Sequence, residues 1–309
     1  MKKEISVVVP VYMEEANIRP FLNRLEPVLE NINAENNEII FVLDPGTDKT
    51  EQIILEEINR NANIRMLVMS RKFGQPAATM AGIGACCGRA CVLIDVDLQD
   101  PPELIKTMLD KIKEGHDVVY AARQTRKNDS WFKRKTAELF YWLMKKFGVS
   151  IIPHHADFRM ITRRVLNAFL KFHENNLFIR ATFPIVGFSS CVVYYDRPER
   201  LAGETKYHFL KMLEFAIDGL TSFSVVPLRI CSVTGLFVSL IALIMLIWSL
   251  IANIFGLTVP GWTSTVVPLY FLGGVQLLFL GVVGEYIGKI YTEVKKRPRY
   301  IIQETKNID

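Results

Sequence analysis

Residues 5–11 read ISVVVPV, an almost continuous run of apolar and β-branched side chains. Such a run is typical of a parallel strand buried on both faces of its sheet. Further strands are predicted at residues 38–43, 64–69, 91–95 and 117–122. Stretches with helical spacing separate them, at residues 14–29, 47–58, 75–87 and 102–114. Strands that alternate with helices predict βαβ units, and therefore an α/β fold with a parallel sheet.

Polar side chains follow each predicted strand. In strand order they are Tyr12 with Glu14, Asp44, Arg71, Asp95 with Asp97, and Arg123. Open α/β sheets bind ligands beyond the carboxyl ends of their strands. The sequence therefore predicts a binding site at this edge of the sheet.

The segment VLIDVDLQDPPE, residues 92–103, crowds four carboxylates at the exit of one predicted strand. Carboxylates this close repel one another unless a cation or a hydrogen-bond network holds them. The segment is therefore either a solvated turn or a metal site. An EF-hand loop is excluded, because Pro101 and Pro102 interrupt it and the required glycine is absent.

A metal ion at this segment would take the place of the glycine-rich loops that bind phosphates in other nucleotide-binding proteins. No GxGxxG follows the first strand and no GxxxxGK[ST] occurs, so the phosphates of a nucleotide would need another counter-charge. A divalent ion held by Asp95, Asp97 and Gln99 would supply it, and oxygen ligands suit Mg²⁺ or Mn²⁺. Asp95 and Asp97 alternate along the chain, so only a local turn lets both reach one ion.

Six segments occur in the order found in family 2 glycosyltransferases, and the chain resembles the polyprenyl-phosphate group of that family. This group includes dolichol-phosphate mannose synthase and the bacterial bactoprenol glucosyltransferases. The segments are VVVPVYMEEANI, FVLDPGTDKT, SRKFGQPAA, DVDLQDPPE, ADFRMITRRV and RLAGETKY, which together span about residues 5–210. The resemblance implies a GT-A fold, a Rossmann-like mostly parallel sheet with flanking helices. The Q-x-x-R-W motif of processive relatives is absent, which favours a single transfer.

The resemblance also implies roles for individual residues. Asp95 and Asp97 match the metal-binding pair and Gln99 the glutamine that joins it, and Asp44 matches the acidic residue that reads the nucleotide base. The family usually has Asp-Asp-Gly-Ser there, whereas this chain has Leu43 before Asp44. Further nucleotide and substrate contacts are implied or expected at Pro10, Tyr12, Glu14 and Arg71.

Basic residues are expected to bring two anionic substrates together. Arg123 and Arg134 resemble residues near the donor and acceptor phosphates, and Arg200 and Lys206 resemble a loop that closes over the site. The nucleophile would be a phosphate oxygen that is already anionic, so no strong general base is required. Asp157 either orients the acceptor or forms a structural ion pair with Arg159 or Arg163.

Two stretches near the C-terminus predict membrane spans. Residues 230–255 and 257–284 carry no charge, and each exceeds the roughly 20 apolar residues that cross a bilayer. Arg229 precedes the first and several basic residues follow the second, so both ends and the N-terminus are expected in the cytoplasm at the plasma membrane. Residues 131–148 and 208–223 are candidate interfacial helices, with covering of the domain's own core as the alternative for the first.

The predicted domains follow from this division. Residues 1–207 form the glycosyltransferase domain, 208–228 an interfacial helix, 229–288 a two-span hairpin and 289–309 a basic cytoplasmic tail.

The five cysteines suggest no disulfide framework. The formal net charge of +5 fits an anionic membrane surface or a phosphate ligand. The tail is too short and badly placed for nucleic acid, and a homo-oligomer stays open.

The function expected from the resemblance is an inverting, metal-dependent transfer of a hexose to a polyprenyl phosphate, with UDP-glucose as donor and undecaprenyl phosphate as acceptor. GDP-mannose with a dolichol-like lipid is the alternative within the family. A membrane protein that binds or translocates lipid phosphates is an alternative of another class. The uncharged spans offer it no polar path.

Overall fold

The computed structural model describes residues 3–32, 36–123, 155–172, 174, 179–195, 224–255 and 261–307. The predicted site residues Arg134, Arg200 and Lys206 lie outside these ranges, as do the two candidate interfacial helices. The described chain divides into two compact units. The first contains the sheet and residues 297–307, and the second contains residues 224–255 and 261–296.

The first unit is built on an eight-stranded sheet with helices on both faces. Its strands are β1 (Ile5–Val11), β2 (Glu38–Leu43), β3 (Ile64–Met69), β4 (Ala90–Leu93), β5 (Val118–Arg123), β6 (His155–Thr162), β7 (Ser190–Tyr195) and β8 (Ile302–Lys306). The helices are α1 (Ile18–Asn31), α2 (Thr50–Arg60), α3 (Gln75–Ala85), α4 (Leu104–Lys113), α5 (Arg163–Phe169) and α6 (Ile179–Val186). The five predicted strands and the α/β class are confirmed, with bounds that differ by a few residues.

The sheet is mixed, in the order β7-β5-β6-β4-β1-β2-β3-β8. Strands β4, β1, β2 and β3 run parallel, and so do β5 and β7. Strand β6 lies between β4 and β5 and is antiparallel to both, and β8 is antiparallel to β3. The start of β6 therefore meets the carboxyl ends of β4 and β5, which adds a neighbouring segment to the predicted site.

Alternate residues of β1 point to opposite faces of the sheet and anchor two hydrophobic cores. Val7, Val9 and Val11 join the core that contains Phe21 of α1. Val8 joins the core that contains Met80 of α3. Since both faces are covered, every residue of β1 except the half-buried Pro10 is buried, in line with the prediction from the sequence.

Helix α3 approaches the sheet closely at Gly82. A Cβ at this position would lie 2.3 Å from Cγ1 of Val8 and 3.0 Å from Cγ2 of Val42. We expect Gly82→Ala to destabilise the protein by about 1–3 kcal/mol, because the buried methyl overpacks the core. Urea unfolding followed by circular dichroism measures it. The control is Gly84→Ala, an exposed position on the same helix where the added Cβ would lie 3.1 Å from the Tyr300 hydroxyl, the end of a side chain that can shift, so its effect on stability should be much smaller than that of Gly82→Ala.

The second unit contains two long helices, α7 (Val226–Ile254) and α8 (Trp262–Val294). Apolar windows at Val226–Met245 and Phe271–Val294 have mean hydropathies of 2.2 and 1.5 and are not buried within the protein. Both helices are thus long and apolar enough to cross a membrane. Within this unit the Tyr286 hydroxyl donates a hydrogen bond of 2.5 Å to the Ser224 carbonyl oxygen.

Candidate active site

The candidate site lies where β1, β2, β3 and β4 end. The backbone continues the sheet slightly past the strands, because the Asp44 amide bonds the Val11 carbonyl at 3.0 Å and the Ile94 amide bonds the Val8 carbonyl at 3.2 Å. These bonds hold the segments that follow β2 and β4 against β1. The predicted residues Tyr12, Glu14 and Asp44 are therefore carried by neighbouring strands.

Asp95 is at the centre of an acidic cluster. Burial, followed by the charges of Asp157, Asp97 and Asp100, raises the pKa of Asp95 to about 7. One neutral side chain contacts it, since Gln75 Nε2 donates to Asp95 Oδ1 at 2.8 Å. Desolvation and like charges both oppose ionisation of this carboxyl. A bound cation would remove the conflict between burial and charge.

A turn follows Asp95, at residues 96–97. Leu98 has φ 58°, and the Gln99 amide donates to Asp97 Oδ1 at 3.1 Å. This is the local turn that the alternation of Asp95 and Asp97 requires for a shared ligand. Gln99 is 8% exposed, and its Oε1 has no hydrogen-bond partner among the described residues. An acceptor oxygen buried without a donor is costly, so it fits a site for a cation.

Asp100 joins the end of the turn to strand β7. It is buried and accepts a hydrogen bond from the hydroxyl of Tyr195, the last residue of β7. Asp100 and Tyr195 were not among the predicted site residues. Asp100 belongs to the crowded carboxylates of the sequence, but its contact with a strand far along the chain has no local signal.

Asp157 lies on β6 and forms one of the ion pairs predicted for it. Its Oδ1 is 3.2 Å from Nη2 of Arg159, which also donates through Nε to the Asp157 carbonyl oxygen at 3.1 Å. The predicted alternative partner Arg163 instead donates through Nε to the Gly88 carbonyl at 2.9 Å. Asp157 is also near enough to Asp95 to raise its pKa. The ion pair with Arg159 therefore exists, and it lies at the site.

The guanidinium of Arg159 is fully buried among aromatic rings. It lies 5.2 Å from the ring centroid of Phe183 and 5.9 Å from that of Tyr120. Both separations are within the range of cation–π attraction. The ion pair with Asp157 therefore joins the site to the aromatic core beneath β6.

Asp44 has a contact that the sequence does not predict. It is 2% exposed, and its two carboxylate oxygens accept the backbone amides of Phe73 at 3.0 Å and Gly74 at 2.8 Å. The residue expected to read the nucleotide base thus holds the loop of residues 70–74, which follows β3. We refer to residues 70–74 as the β3 loop.

The β3 loop presents cations beside β1. The Lys72 ammonium lies 3.4 Å from the ring centroid of Tyr12, and the guanidinium of Arg71 lies 3.9 Å from the ring centroid of Phe73. Both basic side chains are exposed. Lys72 is not among the predicted site residues, although it follows Arg71 directly in SRKFGQPAA.

Glu14 lies on the acidic side of this edge. Its amide donates to Thr50 Oγ1 at 2.8 Å, and Asn17 Nδ2 donates to its Oε2 at 2.6 Å. Burial raises the pKa of Glu14, with smaller increases from the charges of Asp97 and Asp48. Glu14 and Asp97 therefore share one electrostatic environment.

Two of the remaining predicted residues are described by their backbone position. Pro10 pairs with Val42 within the sheet, and Arg123 is the last residue of β5, beside β7. Among the described residues, no group of three or more His, Cys, Asp or Glu side chains could alone hold a metal ion. Asp95, Asp97 and the Gln99 amide supply oxygen donors, and oxygens of a phosphate ligand would have to complete the shell.

Comparison with known proteins gives consistent matches. The family model of Glycosyl transferase family 2 matches residues 6–176, and that of the GtrB C-terminal hairpin matches residues 226–290. A bactoprenol glucosyl transferase of Shigella phage SfX is 41% identical over 98% of this chain and 100% of its own. The uncharacterized glycosyltransferase YkcC of Bacillus subtilis is 42% identical over 99% of this chain and 95% of its own. Among solved structures, that of glucosyl-3-phosphoglycerate synthase from Mycobacterium tuberculosis has a TM-score of 0.48 at 17% identity. The match covers 71% of this chain and 79% of the synthase chain.

Proposed function

The chain belongs to glycosyl transferase family 2, and from this premise we propose that it transfers a hexose from a nucleotide diphosphate sugar to a polyprenyl phosphate. The observation that carries the proposal is the acidic turn, where the pKa of Asp95 is raised beside Asp97 and the buried Gln99 Oε1 has no donor within the part of the chain that the structure describes. The full-length similarity to a bactoprenol glucosyl transferase supports the lipid acceptor. It also makes glucose the first sugar to test.

The acidic turn fits Mg²⁺ or Mn²⁺. Asp95, Asp97 and the amide oxygen of Gln99 would hold the ion, and the diphosphate of the donor would complete its shell. Such an ion supplies electrostatic stabilisation of the charge that develops on the leaving diphosphate. The neutral amide of Gln75, which donates to Asp95, orients this carboxylate without competing for its charge.

The chemical step joins two anions and needs little proton transfer. An oxygen of the lipid phosphate attacks the anomeric carbon as the bond to the diphosphate breaks, which inverts the configuration at that carbon. The nucleophile is already ionised near neutral pH, so Asp157 is not required as a base. We infer that Asp157 is a positioning residue through its pair with Arg159. The exposed cations Arg71 and Lys72, with Arg123, Arg134, Arg200 and Lys206 as further candidates, would offset the charge of the substrates.

The two apolar helices support a location at the membrane, where a polyprenyl phosphate resides. Strand β8 follows the second helix and pairs with β3, in the same sheet as β1. Segments on both sides of the hairpin share one sheet, and this pairing supports a topology in which both lie on the same side of the membrane. The basic residues that flank the hairpin favour the cytoplasmic side. We therefore propose a two-span topology at the plasma membrane.

The test of this function is a direct assay. The purified full chain is incubated in vesicles with undecaprenyl phosphate, Mn²⁺ or Mg²⁺, and separately UDP-glucose, GDP-mannose or other nucleotide sugars, and the glycolipid and free nucleoside diphosphate are measured. We expect a metal-dependent glycolipid from UDP-glucose. Product from GDP-mannose alone would change the donor and retain the reaction. Lipid binding without turnover from any donor would contradict the proposal and favour a lipid-phosphate carrier.

The raised pKa of Asp95 predicts that metal binding depends on pH. Below pH 7 Asp95 must release a proton before it can bind a cation, so the apparent affinity for Mn²⁺ should fall about tenfold per pH unit. Above pH 7 the affinity should level off. Titration calorimetry between about pH 5.5 and about pH 8.5 measures this dependence. An Asp157→Asn variant removes one charge that repels Asp95, so the pH at which the Mn²⁺ affinity levels off should be lower than in the unaltered protein. An unchanged pH would contradict this explanation.

A further inference from the structure

The C-terminal segment returns to the catalytic unit after the second apolar helix. Residues 302–306 form β8, an antiparallel edge strand in register with residues 66–69 of β3. The side chain of Asn307 donates two hydrogen bonds of 2.8 Å, to the carbonyl oxygens of Ala62 and Ile64. The predicted basic tail therefore contains a strand of the sheet, a feature that its few apolar residues do not signal.

Side chains before β8 fix the same segment to the body of the unit. Arg299 Nη2 donates to the Phe172 carbonyl oxygen at 2.7 Å. Tyr300 packs against the hydrophobic core that contains Met80 of α3, and Phe73 of the β3 loop packs against that core as well. The segment is thus anchored on both sides of β8, and the partly buried ring of Tyr300 adds a contact with the core.

The last hydrogen bond of this pairing reaches the β3 loop itself. The Ser70 amide donates to the Ile301 carbonyl oxygen at 2.9 Å, and the register between β3 and β8 shifts at Met69, directly before it. Three residues later the loop meets Asp44, which accepts the amides of Phe73 and Gly74. Ile301, the residue directly before β8, thus holds one end of the loop and Asp44 holds the other, and Lys72 of the loop lies over Tyr12.

We propose that the C-terminal strand β8 is a positioning element for the donor site, because it fixes the β3 loop that presents Arg71 and Lys72. This inference rests on the proposed function, in which the loop contacts the nucleotide. Without β8, strand β3 would become the edge of the sheet and the Ser70 amide would lose its acceptor. Loop order would then depend on the bonds to Asp44 and on the packing of Phe73, and an ordered loop binds a ligand at lower entropic cost.

The test is a pair of adjacent substitutions, Glu304→Pro with Thr305→Pro. Alternate amides of an edge strand face its partner, so one of these two neighbours loses a hydrogen bond to β3. The matched control, Glu304→Ala with Thr305→Ala, removes the same side chains and keeps both amides. Hydrogen exchange of residues 70–74 and the Kd for UDP with Mn²⁺ are measured in the full-length chain.

We expect the proline pair to speed exchange in the β3 loop at least tenfold and to weaken UDP binding about tenfold, with kcat at saturating donor within about twofold. The alanine pair should bind UDP like the unaltered protein. Unchanged loop exchange and UDP affinity in the proline pair would overturn the inference. An unaltered protein that binds neither UDP nor GDP would instead overturn the proposed function, while loop exchange would still report on β8.

A milder variant, Asn307→Gly, tests the role of β8 if the proline pair fails to fold. Asn307 has φ 57°, a conformation that glycine adopts freely, so Asn307→Gly removes only the two anchoring hydrogen bonds. We expect about threefold weaker UDP binding and faster loop exchange. Faster exchange throughout the sheet, with kcat and UDP affinity lowered together, would assign β8 a structural role and overturn its role in positioning.

Discussion

Asp97→Asn is expected to lower the turnover number about 10³-fold and to leave the fold unchanged. The amide oxygen of asparagine can still accept the hydrogen bond that the Gln99 amide donates to Asp97 Oδ1, so the turn is retained. What the variant loses is one negative charge at the proposed metal site. It should therefore bind Mn²⁺ much more weakly, and excess metal should restore part of its activity.

The matched control is Asp110→Asn on α4, where an exposed carboxylate lies 3.9 Å from the Lys113 ammonium. An exposed pair of this kind contributes little to stability, so this variant should keep full activity. Glycolipid formation at several Mn²⁺ concentrations, with circular dichroism as a check of the fold, distinguishes the two variants. Full activity in Asp97→Asn would remove the acidic turn from the mechanism and require another explanation for its crowded carboxylates.

The central strands could be predicted because burial on both faces forces a continuous apolar sequence. The run of β1 and the all-buried EIIFVL of β2 carry that signal in themselves. Strand β6 carries Asp157 and Arg159 within HADFRMIT, and β8 reads IQETK, so neither has the pattern of a buried strand. They join the sheet through pairing with distant segments, a cause that local composition does not contain.

The residues of the candidate site also fall into those that a local pattern predicts and those that depend on contacts between distant segments. The aspartates of the acidic turn could be predicted because several carboxylates fall within one short segment at a strand end. The bonds from Phe73 and Gly74 to Asp44 could not, because they join loops from two strands and depend on how the β3 loop folds. Gln75 was missed for a similar reason, since it contacts Asp95 from the start of α3.

Asp44→Asn is expected to weaken nucleotide binding by about 10- to 100-fold, because it disrupts a charged acceptor of two backbone amides. Hydrogen bonds to a charged group contribute about 1.5–3 kcal/mol, and Asp44 is buried where water cannot replace them. An asparagine can accept only one of the two amides through its oxygen, since its nitrogen is a donor. The β3 loop should then lose the fixed position of Phe73 and Gly74.

The specificity of the variant separates the two roles that Asp44 could have. If Asp44 only positions the β3 loop, the affinities for UDP, CDP and GDP should fall by similar factors. If it also reads the base, as the family resemblance implies, a change from two acceptors to one acceptor and one donor should alter the preference among these nucleotides. Calorimetric Kd values for all three, in the unaltered protein and in Asp44→Asn, measure both effects. Because both carboxylate oxygens already bind backbone amides, we expect a uniform loss, and a reversed preference for UDP over CDP would contradict it.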